Sequence, residues 1–170
     1  MLENGDLIFV KDLSDMGQAI QASTGYYSHV AIFLDGLIYH ASGRAGVICQ
    51  EPDDFFEPTH LYDLYTYPDI ETDLVKERAS KHLGAPYNAS FYPDGSGFYC
   101  SQYIAEILPI FETIPMQFGE GKQEISDFWR DYYQKLELPV PLNQPGTNPS
   151  QLAASPLLVC KERNLHDSDF

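Results

Sequence analysis

Short apolar runs alternate with stretches of helical period along this chain. Leu7-Ile8-Phe9-Val10, entered from Gly5-Asp6, reads as a buried strand. Met16, Ala19 and Ile20 then recur at helical spacing behind the capping residues Ser14 and Asp15, predicting a short helix that ends near Gly25. His29 to Leu34 and Leu37 to Ala41 are two β-rich runs separated by Asp35-Gly36, a pair that favours the positive φ angles of a type I′ hairpin turn. Val47 to Cys49 and Leu61 to Tyr67 predict two more strands, joined by the acidic connection Glu51 to Glu57. Leu74, Val75, Ala79 and Leu83 mark a helix within Glu71 to Leu83, closed by Gly84 and Pro86. After a loop from Asn88 to Gly97, a helix beginning near Cys100 runs through Ile104 and Ile107 and stops before Pro109. Ser126 opens another over Phe128 to Leu136. A Pro-rich crossing from Leu138 to Pro149 leads to a short helix near Gln151 and a last strand at Leu157 to Cys160. The pattern predicts an α+β domain with an antiparallel sheet spanning residues 1–170, in which 138–170 is an extension packed on the core.

Charge narrows the function. With 10 Lys and Arg against 25 Asp and Glu, the formal net charge is −15, which excludes a nucleic-acid binder and an electrostatic hold on an anionic membrane surface. No apolar run reaches the roughly 18 residues of a spanning helix, and no export signal is visible. The chain as written reads as cytoplasmic, or as periplasmic or extracellular if a leader has been removed. Its three cysteines, Cys49, Cys100 and Cys160, are odd in number and widely spaced, so neither a disulfide framework nor a structural zinc site is expected.

The hairpin carries two of the residues with chemistry. With Asp35 and Gly36 as the loop, Ile32 faces Tyr39 and His29 faces Ser42, which puts His40 on the same side of the sheet as His29, within side-chain reach. Both faces are apolar, so the two rings need partners or a cleft. The third residue is Cys100, which follows a Gly-containing loop and begins a helix. Unbonded amides at a helix start stabilise a thiolate, and an adjacent imidazolium adds to the effect. The set predicts a nucleophile at Cys100, a base at His29, an orienting residue at His40 and an oxyanion donor in the Cys100 amide. Cys49 and Cys160 read as packing; His60, His82 and His166 read as structural.

These segments resemble a known family. Gly5-Asp6-Leu7-Ile8-Phe9, Ser28-His29-Val30-Ala31-Ile32-Phe33-Leu34 and Ile38-Tyr39-His40-Ala41 are similar to the histidine half of the NlpC-type cysteine peptidases, papain-like enzymes that cut bacterial cell-wall peptides. Leu83-Gly84-Ala85-Pro86-Tyr87 and Cys100-Ser101 resemble their cysteine half. Histidine precedes cysteine here, the reverse of the usual order. The chain therefore resembles the circularly permuted, YiiX-like branch, which is related in order to the lecithin:retinol acyltransferase group. The resemblance implies a papain-like fold, Cys100 as nucleophile, His29 as base, His40 as its orienting residue, and Tyr87, Tyr99 and Ser101 at the oxyanion or substrate. Tyr99 and Gln102 stand where the peptidases typically carry Asp and Gly, and Asn88-Ala89-Ser90 stands where they carry Trp-Gly-Gly; the missing Asp is a group that helps hold a wall peptide's free amine.

The leading expectation is a cysteine hydrolase that cleaves an amide or peptide bond through a thioester, with no cofactor, on a small peptide, amide or acyl substrate. Three alternatives use the same residues: an acyltransferase or lipid esterase, a zinc hydrolase liganded by Cys100, His29 and His40, and a papain-like module that binds a peptide or acyl ligand without turnover. Oligomeric state and substrate identity are not legible in the residues.

Overall fold

The structure, a computed structural model, describes residues 1–12 and 14–170. Its centre is an antiparallel sheet of β1 (Leu7–Lys11), β2 (His29–Leu34), β3 (Leu37–Ser42), β4 (Gly46–Gln50), β5 (Leu61–Thr66) and β8 (Val159–Leu165), in the order β4-β3-β2-β1-β5-β8. Asp35 and Gly36 adopt φ of 49° and 87°, the signature of the expected turn, and they set the pairs Ile32↔Tyr39, Phe33↔Ile38 and Leu34↔Leu37.

Strand alternation gives the sheet two apolar faces. Leu7, Phe9, Val30, Ile32, Leu34, Tyr39 and Ala41 form one layer with α3 (Thr72–Lys81) and α4 (Cys100–Ile107), through Val75, Ala79, Tyr103, Ile104 and Ile107. Ile8, Val10, Ala31, Ile38, Tyr62 and Leu64 form the other, covered by Phe55, Phe56, Leu165 and Phe170. A third cluster joins Trp129 and Tyr133 of α5 (Asp127–Leu136) to Met116 and Phe118, and packs against Met16 and Ile20 of α1 (Asp15–Thr24). A short ladder of β6 (Ile114–Pro115) with β7 (Pro145–Gly146) leads into α6 (Pro149–Ala153).

Beyond the β6–β7 ladder two elements depart from the sequence expectation, while the helix expected within Glu71 to Leu83 falls inside those bounds, at Thr72–Lys81. The 51–57 connection contains a one-turn helix, α2 (Pro52–Phe55), opened by its proline. The last strand runs on to Leu165, past the expected Cys160. It pairs with β5 alone, so its Lys161-Glu162-Arg163 stretch needs no apolar alternation. Buried Asp63 on β5 binds it there, accepting from the Tyr27 hydroxyl and from the Asn164 amide at 2.8 Å, with Arg163 3.6 Å and Lys11 3.8 Å away.

The loop that delivers α4 is fixed by close backbone approach. Gly97 has φ of 78°, and a Cβ there would lie 1.7 Å from the Pro86 carbonyl oxygen, which accepts from the Phe98 amide at 3.0 Å. Only glycine satisfies both constraints. Gly97→Ala is therefore expected to destabilise the protein by at least about 2 kcal/mol, read as a lower denaturation midpoint; an unchanged midpoint would show that this loop is free to shift.

Candidate active site

Cys100 is the first residue of α4, and extended Tyr99 precedes it with φ −84° and ψ 169°. The Gln102 side chain turns back to accept from the Tyr99 amide at 3.1 Å and is itself held by Asn88 Nδ2 at 3.2 Å. This capping aims the helix start at the sheet. The β2–β3 ladder closes only from Ile32↔Tyr39 to the turn. Beyond that point the Val30 N–H is turned to the sulfur of Cys100, which also faces the N–H groups of Ser101 and of Cys100 itself. Cys100 packs within the layer that holds α4.

The imidazoles belong to the opposite face. His29 Nε2 lies 2.9 Å from His40 Nδ1, and His40 Nε2 lies 2.6 Å from Gln50 Oε1. An amide oxygen only accepts, so His40 donates from Nε2 and accepts at Nδ1. His29 then donates from Nε2, which leaves its Nδ1 as the one ring nitrogen of the pair with a free lone pair. Phe55 stands edge-on to His40 at 5.0 Å between centroids and roofs the pair. The rings share a polar cavity with Asp12, Arg44, Asp54, Glu57, His60 and Tyr62.

Burial governs protonation throughout. It pushes the Cys100 thiol up to about 11, against the pull of the three amides. The expectation that the helix start would stabilise a thiolate is thereby corrected: the amides face the sulfur, but desolvation outweighs them. His29 lies well below the usual imidazole range because desolvation disfavours its charged form, with electrostatic influence from His40 and His60 acting in the same direction. Burial also lowers His40, partly offset by Gln50. Tyr87 and Tyr99 are pushed up, again mainly by burial. At neutral pH the site holds a thiol, two neutral imidazoles and two phenols.

Cys100 opens onto a narrow apolar cavity of about 50 Å³, lined with Tyr87, Phe91, Tyr99, Met116, Phe118 and Trp129 and containing no charged side chain. Ser28, Ser101 and Thr147 also line it. The candidates thus separate into two groups. Tyr87, Tyr99 and Ser101 gather around Cys100, while His29 and His40 line the other cavity, and the sulfur and the His29 ring are not hydrogen-bonded to one another. Among the described residues no three His, Cys, Asp or Glu side chains converge on a metal position, so the zinc reading has no ligand set.

Sequence reasoning missed three participants. Gln50 lies diagonal to His40, since β4 pairs Ile48 with His40 and Gln50 with Ile38; extending the expected strand by one residue would have placed it. His60, read as structural, faces the imidazole cavity and bonds Glu57 at 3.5 Å. Thr147 lies in the segment Gly146 to Ser150, which reads as a turn leading into a capped helix at the edge of the cleft, but its bonds to Tyr99 and Ser101 have no local signal.

Comparison with known proteins follows the same lines. Residues 1–160 match the family described as permuted papain-like amidase enzyme, YaeF/YiiX, C92 family. The crystal structure of metalloprotein YiiX from Escherichia coli O157:H7 superposes with a TM-score of 0.75 at 18% identity, over 95% of this chain and 97% of that one. No curated protein sequence matches.

The depressed imidazoles link stability to pH. Their folded pKa values lie below the ordinary 6.5, so the unfolded chain binds more protons between the two values. Their stabilising contribution is complete above pH 6.5 and is lost as pH falls toward the folded values. Each ring is expected to give a slope of up to about 1.4 kcal/mol per pH unit in that window. Urea titrations from pH 7 to pH 5 should show the loss, with a smaller slope in His29→Gln; equal slopes in both proteins would mean that the ring is solvated.

Proposed function

The chain belongs to the permuted papain-like amidases of the YaeF/YiiX, C92 family, cysteine hydrolases of amide bonds, and on that premise we propose that Cys100 is the nucleophile, His29 the base and His40 the residue that orients it. The observation that carries the assignment is the relay from Gln50 through His40 to His29, which leaves the lone pair on His29 Nδ1. With a thiol near 11, only about one sulfur in ten thousand is ionised at pH 7. The proton must therefore pass to a base during the reaction. The Val30 amide faces the sulfur and adjoins His29 in sequence, and the assignment requires the His29 ring to move from its contact with His40 and reach the thiol during the reaction.

The acyl part of the substrate lies in the apolar cavity with its carbonyl carbon at the sulfur. His29 Nδ1 takes the thiol proton as the S–C bond forms, and the charge on the carbonyl oxygen is met by the Cys100 amide and by the hydroxyls of Tyr87 and Tyr99. Imidazolium returns the proton to the departing amine as the C–N bond breaks. Water, deprotonated by the same ring, then hydrolyses the thioester. A cavity without charged lining favours an apolar acyl group over a wall peptide with a free ammonium.

Cys100→Ala and His29→Ala are each expected to lower amide turnover by at least about a thousandfold while remaining folded. Full activity in either folded variant rejects the role assigned to that residue. For the wild type, kcat/KM against pH reports the free enzyme's base. Its acid limb is expected below pH 6.5, because His29 stays neutral to lower pH than a solvated imidazole does; a limb at or above that value would assign the step to another group. Along a series of acyl p-nitroanilides, kcat/KM should rise by about fourfold per added methylene until the cavity is filled. Preference for a charged acyl group would contradict the placement of the substrate.

A further inference from the structure

We infer that Thr147 is a positioning residue for acyl transfer, clamping both chain neighbours of the nucleophile from a segment far along the chain. The inference rests on Cys100 as the nucleophile. Thr147 donates from its amide to the Tyr99 hydroxyl oxygen at 3.1 Å and from its own hydroxyl to Ser101 Oγ at 2.9 Å. One residue thus grips positions 99 and 101.

Each grip acts on a group around the sulfur. Thr147 faces the Tyr99 oxygen with its amide N–H, which turns the phenolic proton away from Thr147 and toward the cavity that both residues line. That is where a tetrahedral oxyanion needs a donor. Ser101 is fully buried, and its N–H is one of those facing the sulfur. Fixing its hydroxyl fixes the first turn of α4 against the site.

Thr147 is itself held on both sides. Before it, Gly146 pairs with Ile114, and a Cβ at that glycine would lie 2.6 Å from the Met116 side chain and 2.9 Å from the Tyr99 hydroxyl. After it, Asn148 caps α6 by accepting from the Gln151 amide at 2.8 Å. The threonine therefore reaches the nucleophile helix from a rigid support, and its two polar groups both go to residues adjoining Cys100.

The test compares Thr147→Val, which keeps the shape and removes the hydroxyl, with Thr147→Ser, which keeps the hydroxyl, using p-nitrophenyl butyrate as probe. The valine variant is expected to lose about tenfold in kcat with KM within about twofold, and the serine variant to stay within about twofold of wild type. A merely structural role would not produce this split. Unchanged kcat in the valine variant, or a loss confined to KM, overturns the inference. If Thr147→Val does not fold, Ser101→Ala removes the other end of the bond and should reproduce the kcat loss; wild-type kcat there also overturns it. Cys100→Ala separates the two levels of argument. If that variant turns over the ester, or if the wild type does not, the nucleophile assignment falls and Thr147 falls with it. If Cys100→Ala is inert while Thr147→Val matches wild type, only the Thr147 inference falls.

Discussion

The site depends on where the β2–β3 ladder stops. Hydrogen bonding between these strands extends from the hairpin turn only to Ile32↔Tyr39, and beyond it the Val30 amide faces the Cys100 sulfur. The nucleophile we assign therefore packs in the layer that buries α4, while the imidazoles line a cavity on the opposite face.

Burial around Cys100 and the imidazoles governs their protonation. A solvent-exposed cysteine at a helix start gains from the local amides, and its ionisation becomes easier. Cys100 is only 6% exposed, and desolvation reverses the sign. The same cause lowers His29 and His40. The resting state is uncharged at each of these groups, and in the mechanism we propose charge separates only when the proton moves from sulfur to ring. In such surroundings a charge-separated pair is stabilised by whatever donors are already aimed at it, so the fixed amides and phenols count for more than they would in water. Rigid placement of Tyr99 and Ser101 then has direct chemical value.

Much of this was legible in the residues. Asp35-Gly36 gave the turn and its register, and from that register the shared face of His29 and His40 followed by counting. The start of α4 at Cys100 followed from the change of pattern after Gly97. What could not be read depended on distance in sequence or on depth. Gln50 sits one residue past the apolar run that marked its strand, and Thr147 reaches Ser101 across 46 residues. The direction of the thiol's shift depends on how completely the β2 strand and the aromatic cavity cover it, and a helix-start pattern carries no information about cover. The outer strand β8 was truncated in the reading for a related reason, since an edge strand bonded on one side carries no obligatory alternation.

Reversed chain order is compatible with the proposed chemistry because a site is set by the elements that carry its groups and not by the loops that join them. The hairpin supplies the rings, the helix start supplies the sulfur, and neither requires a particular connection between them. What the chain order does decide is which segment remains to close the cavity. Here the residues after α5 do so: β7 docks on β6, and Thr147, Asn148 and Pro149 form one wall beside Cys100. That wall is held at both ends, by the β6–β7 ladder before it and by α6 after it, whose Leu152 is buried in the layer that holds α4. A segment that sequence alone marks as an extension is therefore part of the site's geometry. Changes in its turn residues are felt first at Tyr99 and Ser101, before they reach the fold.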